Sequence, residues 1–267
     1  MLKVSKYIFS LEASEDISLP SYKGSTFHGG IGHALMKLSP DGYNYLFAAG
    51  DGNVAWPKPF VIVPPLETNE NFTKGYIFKL ELILIGEAIS YYPLMHSAIE
   101  YLGKEMGLGY EQRKYTINHI ECSEFSYSDP LKPIQRIKLT LPTRLRLKNK
   151  NRLLKQKPDF QLILKRLIGR VRTLEKAYSN GEALSYNDDL IHRAKDIQIS
   201  HSQIQWDDWD RFSGRQKEWM KFGGLTGNIT FTGDLQPFMA LLTLGEWLHI
   251  GSKTSFGLGK YELSLNP

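Results

Sequence analysis

The C-terminal region of the sequence combines glycines and a lysine at a spacing suited to binding phosphate. An apolar run ends at Gly251, a short polar loop carries Lys253, and Gly257 and Gly259 lead into a strand-like segment. Glycine allows positive φ values and a close approach of the backbone to a ligand. Successive backbone N–H groups beside a lysine form a concavity that favours an anion. The spacing therefore indicates a phosphate-binding loop, and the alternative is an ordinary turn.

Positive charge is concentrated in one segment of the 267-residue chain. The whole chain has 33 Lys+Arg and 28 Asp+Glu residues, a formal net charge of +5. The segment from Lys132 to Arg172 contains 14 of the basic residues and one acid, Asp159, so it carries +13 and the rest of the chain −8. Such a distribution indicates a polyanionic partner, and nucleic acid is the usual one. The alternatives are a solvated helix face or a flexible basic linker.

Apolar residues inside the basic segment argue against a linker. From Ile137 to Leu147 they alternate with other residues, which predicts a strand with one polar face. From Phe160 to Leu174 they recur at helical spacing, with basic residues among them. The basic segment is therefore predicted to contribute a strand and a helix to a folded domain.

Composition and motifs exclude several classes of protein. The hydrophobic fraction of 42% and the charged fraction of 23% are ordinary for a globular protein. The single cysteine, Cys122, excludes an intrachain disulfide framework and a cysteine-rich metal site. The sequence has neither H-E-x-x-H spacing nor a G-x-x-x-x-G-K-[ST] loop, so no zinc site and no nucleotide hydrolysis are expected. Because it also has no signal-peptide pattern and no apolar run of about 18 residues, we expect a cytoplasmic protein with no membrane partner.

Strand-like and helix-like segments recur in the same order in both halves of the chain. The first half has Val4–Leu11, Thr26–Leu38, Phe60–Val63, Leu80–Gly86, Pro93–Leu102 and Tyr115–Ile120. The second half has Arg136–Leu147, Phe160–Tyr178, Ile197–Trp206, Asn228–Gly233, Pro237–Leu248 and Tyr261–Leu265. The order β-α-β-β-α-β is that of the ferredoxin-like motif. The sequence thus predicts an α+β protein with two tandem ferredoxin-like (RRM-like) domains, residues 1–133 and 134–267, and a C-terminal glycine-rich loop.

Four segments that together span nearly the whole chain carry a family pattern. They are Leu19–Leu35, Leu139–Leu147, Phe212–Lys217 with Gly223–Gly227, and the C-terminal glycine-rich loop. The pattern resembles the RAMP superfamily of CRISPR-associated proteins, and within it the endoribonuclease that processes precursor CRISPR RNA. This resemblance implies RRM-like domains, binding of CRISPR repeat RNA, and a single metal-independent cut that needs no cofactor.

The reaction implied by the resemblance needs a base, an acid and a cation, because the 2′-hydroxyl of the RNA is itself the nucleophile. Histidine suits the proton transfers, since its ordinary pKa lies near neutrality. The family often carries its catalytic histidine on or just after the first helix, where this chain has His28 and His33. The two lie about 140° apart on a helix. The resemblance favours His33, with Lys37 one turn later to approach the phosphate. In other members the histidine follows this helix, at a position where this chain has Phe47.

The resemblance also implies which residues contact RNA. These are Arg144, Arg146, Arg215, Lys217, Lys253, Gly251, Gly257 and Gly259. Tyr43, Tyr45, Tyr91 and Tyr92 could stack on bases or simply pack in the core.

The sequence therefore predicts an endoribonuclease whose partner is CRISPR repeat RNA in its precursor. One alternative is a catalytically inactive RNA-binding subunit of a CRISPR effector complex with the same fold. A second is a general RNA-binding protein with tandem RRM-like domains, which the missing aromatic signature of ordinary RRM proteins disfavours. Association with an effector complex and formation of a homodimer stay open.

Overall fold

The computed structural model describes residues 2–48, 56–150, 152–179, 188–213 and 218–267. The chain divides into two compact units. The first comprises Met1–Phe125, Arg172–Ala183 and Ser255–Gly257, and the second comprises Ser126–Val171, Leu184–Thr254 and Leu258–Pro267. The boundary between residues 133 and 134 stays a prediction.

The first unit is built on a four-stranded antiparallel sheet. Its strands are β1 (Val4–Ala13), β2 (Phe60–Val63), β3 (Ile77–Ile85) and β4 (Tyr115–Glu124), in the spatial order β2-β3-β1-β4. Its helices are α1 (Gly24–Leu38), α2 (Pro40–Phe47) and α3 (Tyr92–Tyr101), with a 3₁₀ turn at Gly86–Tyr91, a π turn at Leu102–Met106 and a short strand pair, Ile17–Ser18 with Asn71–Phe72. The inward residues of β1 alternate with outward ones, which is the pattern of a sheet covered on one face.

Local sequence explains where the first two helices meet. Ser39 separates α1 from α2, and its hydroxyl accepts a hydrogen bond from the Gly42 N–H at 3.1 Å. Pro40 follows as the first residue of α2, a position where its missing N–H costs nothing. Helix α1 therefore ends at Leu38, with the basic residue Lys37 in its last turn, and α2 begins at Pro40.

The second unit has a sheet of the same order. Its strands are β5 (Arg136–Leu145), β6 (Gln198–Asp207), β7 (Gly224–Thr232) and β8 (Glu262–Leu265), arranged as β6-β7-β5-β8. The remaining elements along the chain are α4 (Phe160–Tyr178), α5 (Asp188–Arg193), α6 (Met239–Leu248), 3₁₀ turns at Gln236–Phe238 and Thr254–Phe256, and two hairpins, Lys148–Asn149 with Arg152–Leu153 and Asp210–Ser213 with Glu218–Lys221.

The two sheets confirm the predicted α+β class and ferredoxin-like repeats. Each places its third strand beside its first and its fourth strand at the other edge, which is the arrangement of a β-α-β-β-α-β unit. The helix predicted at Phe160–Tyr178 has those bounds, whereas β5 ends two residues before the predicted Leu147. In the described ranges no helix has the length and apolar character needed to cross a bilayer.

Candidate active site and nucleic-acid interface

Helix α1 places its two histidines in opposite environments. The helix buries an apolar face that includes Phe27, Ile31 and Leu35 against the first sheet. His28 shares this face and is 8% exposed, whereas His33 points away from it and is exposed. The 140° separation expected from their spacing therefore decides which histidine reaches solvent.

His28 lies in an aromatic cage within the first unit. Its ring stacks on Phe256, with centroids 3.7 Å apart and planes inclined by 13°. Phe47 and Phe60 flank it at centroid distances of 5.0 Å and 5.9 Å. The aromatic residue at position 47 is thus a packing partner of a histidine on α1.

The short segment Ser255–Gly257 is held against the start of α1 in the same unit. The Tyr22 hydroxyl donates to the Phe256 carbonyl at 2.5 Å. A Cβ at Gly24 would lie 2.5 Å from that same oxygen, so α1 must begin with glycine. Gly257 has φ +86°, and a Cβ there would lie 2.7 Å from the carbonyl oxygen of Ile62. Gly257, which was predicted to contact RNA, is therefore also required by the packing of the first unit.

The exposed face of α1 carries His33 and, one turn later, Lys37. Both side chains are exposed, and residues four apart on a helix are neighbours on its surface. The Lys37 ammonium lies 5.9 Å from the centre of the Tyr101 ring on α3. The structure thus brings the predicted proton-transfer group and the predicted cation onto one accessible face.

The glycine-rich loop of the second unit has an unusual backbone. Gly251 has φ +92° and Gly259 has φ +75°, and the non-glycine residues His249 and Lys253 also have positive φ values of +57° and +66°. A Cβ at Gly259 would overlap the carbonyl oxygen of Ile250. Gly251 and Gly259 therefore have the positive φ values that glycine allows, and their contact with RNA stays a prediction.

Hydrogen bonds fasten this loop to the end of β5. The Ser252 N–H donates to the Arg146 carbonyl and the Gly259 N–H to the Arg144 carbonyl, each at 3.0 Å. A Cβ at Gly251 would lie 2.5 Å from the Arg146 oxygen, so glycine allows this close approach. The backbone carbonyl groups of Arg144 and Arg146 thus position the loop independently of the arginine side chains.

The side chain of Arg144 is partly exposed and already paired. Its Nη2 atom lies 2.6 Å from Asp207 Oδ2, and its side chain is 20% exposed. The guanidinium also lies 5.1 Å from the centre of the Trp209 ring. A phosphate would have to share or displace the Asp207 carboxylate to bind Arg144.

The side chain of Arg146 is buried, in contrast to the surface position that we expected. It is 7% exposed and donates to the Gly223 carbonyl. Desolvation lowers the pKa of its guanidinium. Phe222 lies 5.9 Å from this guanidinium and 5.5 Å from the Lys253 ammonium, which is on an exposed residue. Arg146 and Lys253 therefore contact the same buried aromatic ring, and only Lys253 is exposed.

Two predicted contacts, Arg215 and Lys217, lie at residues 214–217, outside the described residues. The strands of their hairpin are described, and the Phe222 N–H at its base donates to the Trp209 carbonyl at 2.7 Å. Trp209 and Phe222 also meet edge to face, with ring centroids 5.4 Å apart. The base of the hairpin is thus made by the same aromatic residues that Arg144, Arg146 and Lys253 contact.

Two polar residues near the loop, the half-buried Arg170 and the buried His249, escaped the sequence reasoning. Arg170 Nε donates to the Leu248 carbonyl at the end of α6 at 2.8 Å, and burial lowers its pKa to about 10. His249 is fully buried, with Nδ1 3.2 Å from the Leu258 carbonyl. Arg170 follows the apolar residues Leu167 and Ile168 on α4, and this position in the sequence could have indicated that its side chain is partly covered.

The four tyrosines considered for base stacking each contact another aromatic ring in the first unit. The stacked pairs are Tyr7–Tyr92, Tyr43–Phe47 and Tyr45–Tyr91. This pairing is the expected behaviour of core and rim residues, and stacking on RNA stays a prediction. Within the described ranges, no three His, Cys, Asp or Glu residues gather in a group able to hold a metal ion.

Comparisons with protein families match both halves of the chain. The model of the AF_1859_N N-terminal domain matches residues 2–139, just over half of the chain. The model described as CRISPR-associated endoribonuclease Cas6 matches residues 137–261. No curated protein matches the sequence.

Solved structures share the fold over the full length of the chain. A Cas6 product complex has a TM-score of 0.68 and 16% identity, covering 98% of this chain and 100% of that one. A Cas6 from Thermus thermophilus has a TM-score of 0.65 and 16% identity, covering 99% of each chain. A RAMP protein binding different RNA substrates has a TM-score of 0.53 and 12% identity, covering 99% of this chain and 100% of that one. At these identities the likeness shows the fold.

Proposed function

We propose that this chain, which has an N-terminal domain of the AF_1859_N family over residues 2–139 and matches the CRISPR-associated endoribonuclease Cas6 over residues 137–261, cuts precursor CRISPR RNA once within each repeat. The observation that carries the proposal is the accessible pair of His33 and Lys37 on α1. A proton-transfer group beside a cation is what RNA cleavage requires when the RNA supplies its own nucleophile.

The proposed reaction is a transesterification within the RNA. His33 takes the proton of the 2′-hydroxyl at the cut, and the 2′-oxygen forms a bond to the adjacent phosphorus. The bond from phosphorus to the 5′-oxygen breaks, and that oxygen takes a proton from the surrounding water, to which His33 gives up the proton it accepted. The products are a 2′,3′-cyclic phosphate and a 5′-hydroxyl end. Lys37 stabilises the negative charge that builds up on the phosphate.

His28 is the other histidine considered for this role, and its geometry favours packing. A group that transfers a proton must come within hydrogen-bond reach of its substrate. The His28 ring stacks on Phe256 and lies between Phe47 and Phe60. We therefore assign the proton transfer to His33 and the support of α1 to His28.

The glycine-rich loop of the second unit is the proposed site of phosphate contact. Its backbone has positive φ values at Gly251, Lys253 and Gly259, and it is fastened to β5. Such a preformed loop loses little entropy when it binds an anion. Lys253 supplies the exposed charge at this loop.

Cleavage in excess EDTA tests the proposed reaction. Incubation with repeat RNA should give one cut, and the upstream product should end in a 2′,3′-cyclic phosphate or its opened form. A single 2′-deoxy substitution at the cut should abolish cleavage while binding changes little, because only the nucleophile is removed. Activity that is lost in EDTA and restored by Mg²⁺ would contradict this mechanism. Binding without any cut would instead indicate an inactive RNA-binding subunit.

A further inference from the structure

A second set of cations lies in the second unit, on the hairpin after β5 and the start of α4. We call it the hairpin–helix surface. Its members are Lys148, Lys150, Arg152, Lys155, Lys157, Lys165 and Arg166. All seven are exposed. All seven belong to the basic segment Lys132–Arg172, for which the sequence indicates a nucleic-acid partner, but they are not among the individual residues that the resemblance implies as RNA contacts.

These cations have no carboxylate partner in the part of the chain that the structure describes. The one acid between residues 148 and 166 is Asp159, and its Oδ1 atom accepts from the Leu162 N–H at 2.6 Å, which caps α4. The Lys165 ammonium donates only to a neutral group, the Gln161 amide oxygen, at 3.1 Å. In this stretch of sequence seven positive charges therefore face one carboxylate, that of Asp159, which gives the surface a net positive charge.

The glycine-rich loop differs in this respect. Arg144 is paired with Asp207, and Arg146 is buried against the Gly223 carbonyl. Charges that are already paired or buried release few counterions when a polyanion arrives. Unpaired exposed charges release more, so the larger electrostatic contribution belongs to the hairpin–helix surface.

A polar depression gives this surface a place for the ligand. It has a volume of about 300 Å³ and is lined by Asn149, Asp159, Gln161, Leu162, Lys165 and Arg166. The Asn149 amide can donate hydrogen bonds, whereas the Gln161 amide nitrogen already donates to the Ile191 carbonyl at 3.0 Å. The two cations attract an anion. Asp159 is engaged as a helix cap, which leaves its second oxygen as the one repulsive group.

The chemistry favours a nucleic-acid backbone over a protein partner. Protein interfaces have a core of large apolar side chains surrounded by a polar rim. No large exposed hydrophobic side chain of the described chain lies between residues 148 and 166. The Trp206 ring, 5.0 Å from the Lys155 ammonium, is half-buried. A row of cations with so little exposed apolar surface instead suits the regularly spaced phosphates of RNA.

We propose that the hairpin–helix surface binds the RNA backbone through its phosphates, without regard to base sequence, and supplies most of the salt-dependent affinity. This inference rests on the proposed function. It assigns Arg144 and Arg146 to positioning the glycine-rich loop, and it separates electrostatic capture of RNA from the chemistry at α1.

The test compares two variants that each remove three positive charges. The first carries Lys148→Gln, Arg152→Gln and Arg166→Gln. The matched control carries Lys74→Gln, Lys79→Gln and Lys195→Gln, at exposed positions elsewhere. Binding is measured against salt concentration with repeat RNA that is 2′-deoxy at the cut, and with a scrambled RNA of equal length.

The surface variant should flatten the slope of log affinity against log salt by up to about 2, at about 0.7 per phosphate contact. Its affinity at about 0.1 M salt should fall by roughly 10–100-fold for both RNAs. The control should keep the wild-type slope to within about 0.5. Single-turnover cleavage at saturating protein should be equal in all three proteins.

Three contrary outcomes are distinguishable. If the wild type neither binds nor cuts repeat RNA, the proposed function is wrong. If the wild type binds with a steep salt slope and the surface variant keeps that slope, the hairpin–helix surface does not contact RNA. A loss confined to repeat RNA, with scrambled RNA unaffected, would also overturn the sequence-independent role.

Discussion

The two histidines of α1, five residues apart, are the same residue type in different environments. Both have the same chemistry in the sequence, yet His28 is 8% exposed and stacked on Phe256, whereas His33 is exposed beside Lys37. Helical periodicity predicts that they face different directions. The apolar residues of α1 indicate that His28 is on the buried face, but they do not predict the ring that covers it, because Phe256 lies 228 residues later in the chain.

Replacing His33 by alanine should lower the single-turnover cleavage rate by roughly 10²–10⁴, the scale for losing a general acid or base. Affinity for 2′-deoxy repeat RNA should change little, because one imidazole adds little to a phosphate-dominated affinity. His119→Ala, at an exposed position on β4, is the matched control and should cut normally. A normal rate in His33→Ala would remove this residue from the reaction.

Replacing His28 distinguishes packing from chemistry at that position. His28→Phe keeps an aromatic ring against Phe256 and should retain most of the cleavage rate. His28→Ala leaves a void among three aromatic rings, and we expect it to cost about 2–4 kcal/mol of unfolding free energy. If His28→Phe folds normally but loses cleavage on the scale expected for His33→Ala, the catalytic role belongs to His28.

The two arginines at the end of β5 show the same limit of sequence reasoning. Arg144 and Arg146 alternate with Thr143, Leu145 and Leu147, so a simple strand pattern puts both on the polar face. The strand ends at Leu145, and Arg146 is buried. A shift of the strand end by two residues was enough to change the predicted environment of a charged group.

At the scale of elements the sequence was a good guide. Strand and helix periodicities are local, so they predicted the eight strands of the two main sheets and the helices α1, α3, α4 and α6, with end shifts of a few residues. The short helices α2 and α5 were not predicted. The repeated order then predicted the sheet topology, because ferredoxin-like units have one common strand order. The docking of Ser255–Gly257 in the first unit could not be predicted, since it depends on side-chain packing between residues distant in sequence.

The glycine-rich loop gives the sharpest prediction for a single element. Gly259→Ala places a Cβ on the Ile250 carbonyl and requires φ +75°, which alone costs roughly 1–2 kcal/mol in a non-glycine residue. We expect a lower denaturation midpoint and at least about tenfold weaker RNA binding, because roughly 1.4 kcal/mol of loop distortion equals a factor of ten.

Gly169→Ala is the control in the same unit. It lies inside α4, where an added Cβ meets no atom within 4 Å. Alanine there should stabilise the helix by about 0.5–1 kcal/mol and leave RNA binding intact. If Gly259→Ala has wild-type stability and affinity, the backbone of the loop does not form the phosphate site.

At the scale of the whole molecule, charge is divided along the chain. The segment Lys132–Arg172 carries +13 and the remainder −8. All of this segment except Arg172 belongs to the second unit. A net charge of only +5 hides this division, so the electrostatic field near the second unit is stronger than the total implies. The affinity for RNA should therefore depend on the folded protein, in which the cations of the second unit lie close together.

Thermal unfolding of the intact chain measures this dependence. A ligand that binds only the folded state stabilises it by about 2.7 kcal/mol at a concentration one hundred times its Kd. For a protein of this size, that corresponds to a rise in Tm of roughly 5–10 °C. We expect such a rise in Tm with 2′-deoxy repeat RNA at about 0.1 M salt, and a smaller rise with scrambled RNA at the same concentration. At about 1 M salt, where screening is strong, the Tm should rise little with either RNA. Equal rises with both RNAs would show that charge alone recognises the ligand. A rise that persists at high salt would mean that non-ionic contacts, and not the cations of the second unit, dominate the binding of RNA.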